Sequence, residues 1–485
     1  MIVRGGSVVD VSKEIAWKDD VVECLATFAT QTHPTGDRAL LDGAKRVLID
    51  TVAVGLGAFA HPAAQCARRY LEFFPADPNG AAIWGSSLRA APDKATLVNG
   101  VLLRCYDYND VMVARRGAGH PSDMIAALMA LCDWRDLSGH EMLQAIVLGY
   151  EVAEAMHDVV AAEEAGWDHA NISAIGATCA LGRLIGLDAD QMGEAIGIAA
   201  IQHIASNEIE SSATNRRGDL TMWKRFHGAD AMRHALDACL LAAAGAEAPV
   251  RPFRGRLGFL SIFRVDEDPA PYLADRLRPG NLTGAVNRTN FKRWPVGSRG
   301  QSAVAAALDA RSKLPGDAQI ESVLVRTEPG VYNHLVGIRA DPWRPQSRET
   351  ADHSLPYIVG AAVLDGQIDV GSFDLAKVLN PERARFIAER VKVEVSEELT
   401  CGAQGIAHHI SHVEIRTKDG SCFEGAARPG PGHCDNPFGA QDLLMKLHET
   451  GDKLLGAERV ELLFGMMNSM EEISVREFAG RLMTT

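Results

Sequence analysis

The chain has 485 residues, of which 47% are hydrophobic and 23% charged, and 49 basic residues against 63 acidic ones leave a net charge of −14. That length exceeds one compact core and suits two or three domains. The acidic balance disfavours nucleic acid and anionic membrane as partners, since both select basic surface, but it leaves room for an anionic small molecule held by a few focused cations.

No run of about 18 apolar residues suggests a membrane span, and the first 20 residues lack the long apolar core of a secretory signal. The nine cysteines are scattered and form no CxxC pair. Both features predict a cytoplasmic protein with reduced thiols.

In chain order, residues 17–263 are rich in Ala, Leu, Ile and Met at helical spacing. Helices are expected at 44–60, 122–134, 139–157, 174–185, 189–205 and 228–244, several of them apolar nearly all round, as in the interior of a helical bundle. Between 286 and 427 the texture changes. Residues 322–327, 390–395 and 412–417 alternate like strands, KDG at 418–420 supplies a turn into a return strand at 421–424, and helices intervene at 301–314 and 354–364. After the Pro/Gly-rich stretch 428–433, helical texture returns over 440–483. The expected fold is mainly α: a large all-helical domain (1–285 and 431–485) with an inserted smaller α+β lid domain (286–430). A cleft between the two is a favoured place for a small-molecule site.

Two patterns point elsewhere and are set aside. GLGAFA at 55–60 matches the loose glycine pattern of dinucleotide sites, but it closes a helical run instead of following a strand. His408, His409 and His412 lack the spacing of a zinc helix and lead into a strand. No Walker loop, HExxH or GxSxG is present.

Five segments concentrate chemistry. YDYND (106–110) precedes GHPSD (119–123), where Pro121 starts a helix that Ser122 or Asp123 can cap, presenting a positive helix end beside His120. GWDH (166–169) places His169 before another helix. Arg216, Arg217 and LTMWKRFHG (220–228) gather cations, with Lys224 between aromatic residues and open to desolvation. KRWPVGSRGQ (292–301) and ADHSLPY (351–357) lie in the α+β region, where Tyr357 could point into a cleft. Each segment alone has a plain structural reading: a capped helix, a hydrogen-bonded core histidine, a solvated basic turn.

Taken in order, GHPSD, GWDHANISAIGA, LTMWKRFHGADAMR, KRWPVGSRGQSAVAAAL, ADHSLPYIVGAAVLDG and GHCDNPF resemble blocks of the MmgE/PrpD family, over residues 48–444. The resemblance implies a homodimer without metal or organic cofactor that acts on a small polycarboxylate. It assigns site roles to Asp107, His120, His169 and Lys224. Three departures stand out: Asn109 replaces a second acid, Val111 stands where decarboxylase members carry Thr, and Arg299 stands where dehydratase members carry His. The GQSA-like block favours the dehydratase branch, hence a 2-methylcitrate dehydratase-like hydro-lyase. Epimerisation or decarboxylation at the same site is the nearest alternative, and a non-catalytic helical binding protein is the remote one. The expected machinery is one of His120 and His169 as base, the other or Tyr357 as acid, and Asp107 as an orienting group. Lys224, Arg225, Arg299 and Gln301 would bind carboxylate.

Overall fold

The computed structural model describes residues 19–34, 36–210, 218–400, 409–425 and 429–484, so Arg216, Arg217 and His408 lie outside the described residues. The chain is mainly α-helical. In the first half its long helices include Arg38–Gly57, Pro92–Arg104, Met124–Arg135, Gly139–Val159, Ala170–Ile185, Ala189–Gln202 and His227–Ala243. Ala170–Ile185 packs between Gly139–Val159 and His227–Ala243. Their sequences are apolar on nearly every side because they are surrounded: Met124 to Asp133 are buried without interruption. No single described helix is long and apolar enough to cross a membrane.

Sequence patterning locates these helices with displaced ends, except Pro92–Arg104, for which it gives no expectation. The helix expected from 44 starts at Arg38, where the Asp37 side chain accepts from the amides of Ala39 and Leu40. A capping box of Ser138 and Glu141 opens Gly139–Val159, and one of Asp188 and Gln191 opens Ala189–Gln202. The helical texture of 440–483 divides into Ala440–Leu455, Ala457–Asn468 and Val475–Leu482. The glycines of GLGAFA serve packing: a methyl on Gly55 would meet the Trp84 ring at 2.9 Å.

The buried apolar residues form two clusters. One runs from Val21 to Phe291 and resumes from Phe438 to Leu482. The other lies wholly between Trp294 and Ile415. Within the second, a four-stranded sheet has the order Val391–Val395, Ile320–Thr327, Ser411–Thr417, Cys422–Gly425. The first pair is parallel and the others antiparallel. Gly420 takes φ +87° in the turn, and the Asp419 carboxylate accepts from the Thr417 hydroxyl (2.6 Å) and the Ser421 amide (3.1 Å). The helices Gln301–Ser312 and Leu355–Asp365 pack together beside this sheet. The chain leaves and re-enters the first cluster at neighbouring points, since Phe291 and Phe438 stack with centroids 6.1 Å apart and the Phe291 amide donates to Gly432 O (2.8 Å).

The returning helix Ala440–Leu455 is fastened by a buried cation. Lys446 Nζ donates to Asp50 Oδ1 (2.6 Å), Tyr108 O (2.9 Å) and Lys292 O (3.0 Å), and lies 3.8 Å from the Tyr108 ring centroid. Deleting one member of a buried pair strands the other charge. Lys446→Ala is therefore expected to lose about 3–5 kcal/mol in urea unfolding, and the pair replacement Asp50→Asn with Lys446→Met is expected to recover part of it.

Candidate active site

A narrow cleft opens between the two clusters, and Asp107, His120, His169 and Lys224 all line it. They arrive from separate elements. Asp107 follows the helix Pro92–Arg104 with φ +48°, a left-handed conformation unfavourable for a residue other than glycine. It is held there because Lys292 Nζ binds both its carbonyl oxygen (2.8 Å) and its carboxylate. His353 Nε2 lies 3.1 Å from Asp107 Oδ2, and His353 Nδ1 lies 2.5 Å from Asp352 Oδ1. Burial works to raise the Asp107 pKa, but Lys292 and His353 outweigh it and hold the carboxyl well below its ordinary range.

His120 stands just before the 3-10 turn Pro121–Asp123, and its Nδ1 makes a short contact with Asp110 O, which fixes the ring. The helix proper begins only at Met124, and neither Ser122 nor Asp123 caps it, contrary to the expectation from GHPSD. Their side chains are spent on the buried site floor instead: Asn109 Nδ2 donates to Ser122 Oγ (3.0 Å) and Asp123 Oδ1 (3.3 Å). Burial raises Asp123 to about 6, against the pull of Arg104.

His169 precedes the helix Ala170–Ile185, and its ring meets that of His120 edge to face at 4.9 Å. Burial lowers His169 to about 3, with Asp168 opposing, and lowers His120 well below the usual histidine range, with Arg104 and Lys292 adding to the effect. Both imidazoles are thus neutral at pH 7. Asp168 Oδ1 accepts from the Ala170 amide (2.8 Å) and faces His227 Nε2 at 3.2 Å, while His227 Nδ1 lies 2.9 Å from Lys224 O. Asp168, His169 and His227 bring ligand-type atoms within 4.8 Å of one another, as do His203, Asp230 and His234 at the surface. These sets could hold a metal ion, as could a third, His433, Cys434 and Asp435, and a fourth, Glu414, Cys422 and Glu424; of these four among the described residues the first is the most buried, and its Asp168 and His169 line the cleft.

Lys224, in the turn Met222–Arg225, is almost wholly buried, but the aromatic residue before it is not what covers it: Trp223 is 52% exposed and stacks on Phe226. Lys224 pairs with Glu210, which Arg339 Nη2 also reaches at 3.1 Å. Burial lowers the Lys224 ammonium to about 7, with Asp107 opposing and Arg225 and Arg104 reinforcing. Arg299 lines the mouth, 3.7 Å from Glu163 across the cleft.

Three expected residues do not reach the cleft wall. Arg225 lies beneath it, with Nη2 2.6 Å from Asp352 Oδ2, so its charge is consumed in ordering the Asp107–His353–Asp352 group. Gln301 is spent on the loop before it, accepting from the amides of Arg293 (3.0 Å) and Trp294 (3.2 Å) and donating to Trp294 O (2.8 Å). Tyr357 belongs to the second apolar cluster, and its hydroxyl donates to Ser372 O (2.9 Å). A tyrosine one turn into an apolar helix points to the core; His353, just ahead of the cap Ser354, is the member of ADHSLPY that faces the cleft. Sequence reasoning also passed over Asp168 and Lys292 inside segments it singled out. Arg104, Glu163, Glu210 and His334 line the cleft from outside those segments. His409 lines it too, with Nδ1 2.8 Å from Glu328 Oε1.

Residues 23–271 match the model of the MmgE/PrpD N-terminal domain and residues 294–469 that of the MmgE/PrpD C-terminal domain. The chain belongs to the MmgE/PrpD family. It is similar to cis-aconitate decarboxylase of Mus musculus, at 25% identity over 470 residues covering 92% of this chain and 90% of the relative. It is also similar to the 2-methylcitrate dehydratases of Cupriavidus necator (24% over 382 residues, 73% of each chain) and Escherichia coli strain K12 (24% over 396 residues, 77% and 76%).

The placement of Tyr357 is directly testable. Tyr357→Phe is expected to keep turnover within about twofold and to cost about 1 kcal/mol of stability, the usual worth of one buried hydrogen bond, as read by steady-state assay and urea unfolding.

Proposed function

We propose that this protein is a lyase that takes a proton from the carbon α to a carboxylate of a small polycarboxylate and eliminates water. The observation that carries the reading is the pair of neutral imidazoles, His120 and His169, in one cleft with the cationic side chains of Arg104, Lys224 and Arg299. Abstraction of an α-proton builds negative charge on the adjacent carboxylate, which positioned cations stabilise. At neutral pH both rings are in the free-base form that proton abstraction requires, and too little imidazolium is present for either to serve as the acid.

In this reading His169 accepts the α-proton as the C–H pair becomes the new double bond. The β C–O bond breaks, and the departing oxygen takes a proton from the Lys224 ammonium, so that one water leaves. His120, anchored through Nδ1 to Asp110 O, offers Nε2 to the substrate hydroxyl and orients it. The pairing of Lys224 with Glu210 gives way to a substrate carboxylate. Residues of the second cluster, Arg299 and His353, face those of the first, and closure of that α+β unit as a lid would exclude water. Asp107 acts through His353 and Lys292.

Decarboxylation is the second reading, favoured by the 92% of this chain that the Mus musculus relative covers, against 73% for the Cupriavidus necator dehydratase. There the C–CO2 bond breaks and the developing carbanion takes the proton that the Lys224 ammonium supplies. Incubation with 2-methylcitrate, citrate and cis-aconitate separates the two, since dehydration gives ultraviolet absorbance from a new double bond and decarboxylation gives carbon dioxide. Epimerisation gives neither.

His169→Gln and Lys224→Ala are each expected to lower kcat by about 10²–10⁴, the range for a positioned acid or base, with circular dichroism unchanged. Wild-type turnover in both variants would remove this site from the chemistry. Because Lys224 acts in its protonated form, kcat/KM should fall as pH rises through its lowered pKa, while neutral His169 imposes no loss between pH 5 and 7. Lys224→Arg, which keeps its charge, should lose that alkaline limb along with most of the turnover.

A further inference from the structure

Four buried side-chain atoms, carried by two neighbouring helices of the site and the residue that opens the second, have no protein partner among the described residues: His169 Nδ1, Ser173 Oγ and both ring nitrogens of His157. His157 is 1% exposed, near the end of the helix Gly139–Val159, and both its ring nitrogens are unmatched. Ser173 is fully buried one helical turn beyond His169, and its amide donates to His169 O at 3.1 Å. The antiparallel strands Met112–Val113 and Ala118–Gly119, which lead into His120, run directly over the His157 ring. A methyl on Gly117 would stand 3.2 Å from His157 Nδ1. One on Gly119 would stand 2.5 Å from His157 Nε2 and 3.4 Å from Ser173 Oγ. The two glycines therefore bring the His120 hairpin against the imidazole, and Gly119 sits between His157 and Ser173.

Burial pushes His157 down to about 4, so it is neutral, with one nitrogen that must donate and one that must accept. Groups of this kind left unmatched in a protein interior call for an ordered water or a catalytic use. His169 needs such a partner as well. To take a proton at Nε2, which lies 3.8 Å from Asp168 Oδ1, it must carry its own hydrogen on Nδ1. The imidazolium formed would then have the Asp168 carboxylate beside it.

We propose that His157 and Ser173 are positioning residues: bridged by water, they accept the Nδ1 hydrogen of His169, fix its tautomer and leave Nε2 as the base. The proposal rests on the reading of His169 as base. The experiment is a double-mutant cycle on the full-length enzyme, with His157→Leu, His157→Gln and Ser173→Ala made in the wild-type and His169→Gln backgrounds, measuring kcat, KM and melting temperature. His157→Leu and Ser173→Ala should lower kcat by about 10- to 100-fold, the scale of a misplaced catalytic group, with KM within twofold and melting unchanged or raised. His157→Gln, which restores a donor and an acceptor, should recover most of the loss. In the His169→Gln background His157→Leu should cost nothing further, because it acts through a base already gone.

Wild-type kcat in both His157→Leu and Ser173→Ala overturns the proposal. So does a loss that tracks a fall in melting temperature, or one that persists undiminished in the His169→Gln background. If His157→Leu does not fold, Ser173→Ala alone decides between these outcomes. Full activity of His169→Gln itself overturns the base assignment, and with it this proposal.

Discussion

Asp107 is the group on which the cleft is built. A carboxylate with no water around it survives only if cations and donors replace its hydration, and Lys292, His353 and the more distant Arg225 do so. The partners come from both apolar clusters, so the same ionic group that stabilises Asp107 also sets the relative position of the two walls. Its consequences spread outward. Lys292 helps keep His120 neutral, Asp107 partly sustains the charge on Lys224, and Asp352 draws Arg225 away from the cleft. The left-handed backbone at Asp107 is the conformational cost of aiming its carboxylate and its carbonyl at one lysine.

The acid–base character of the site follows from burial more than from pairing. For His120, His169 and Lys224 the largest influence is the loss of water, which disfavours the charged form of each. Two imidazoles stay unprotonated, and one lysine becomes an ammonium that can give up its proton near neutrality. That division of labour needs no unusual residue, only the exclusion of solvent from a cleft whose walls come from two cores.

Much of this was legible in the sequence, and the rest was hidden for identifiable reasons. Apolar periodicity found the long helices apart from Pro92–Arg104, and the alternation of 322–327, 390–395 and 412–417 with the turn into 421–424 found the four sheet strands, because burial on one face or all faces leaves a pattern along the chain. Helix starts were less visible. Asp37 could be taken for a loop residue, while Ser122 and Asp123 looked like caps yet serve the site floor. Within the site, histidines and lysines in ordered motifs stood out, but a motif does not say which member faces the cleft. Tyr357 and His353 share one segment, and only packing separates them. Lys292 carried no local signal, since its partner Asp107 lies 185 residues away. Gln301 looked like a ligand-binding amide and is instead the brace of the loop at 293–296.

The path of the chain between the two cores has a mechanical meaning. The outgoing segment at Phe291 and the incoming one at Gly432 to Phe438 are joined by a backbone hydrogen bond and a ring stack. A unit attached through one strand could swivel in any direction; one attached through two strands laced side by side resembles a door on its post. The two connections therefore hold each other in place, and the α+β unit joins the helical one along a doubled edge rather than through a lone tether.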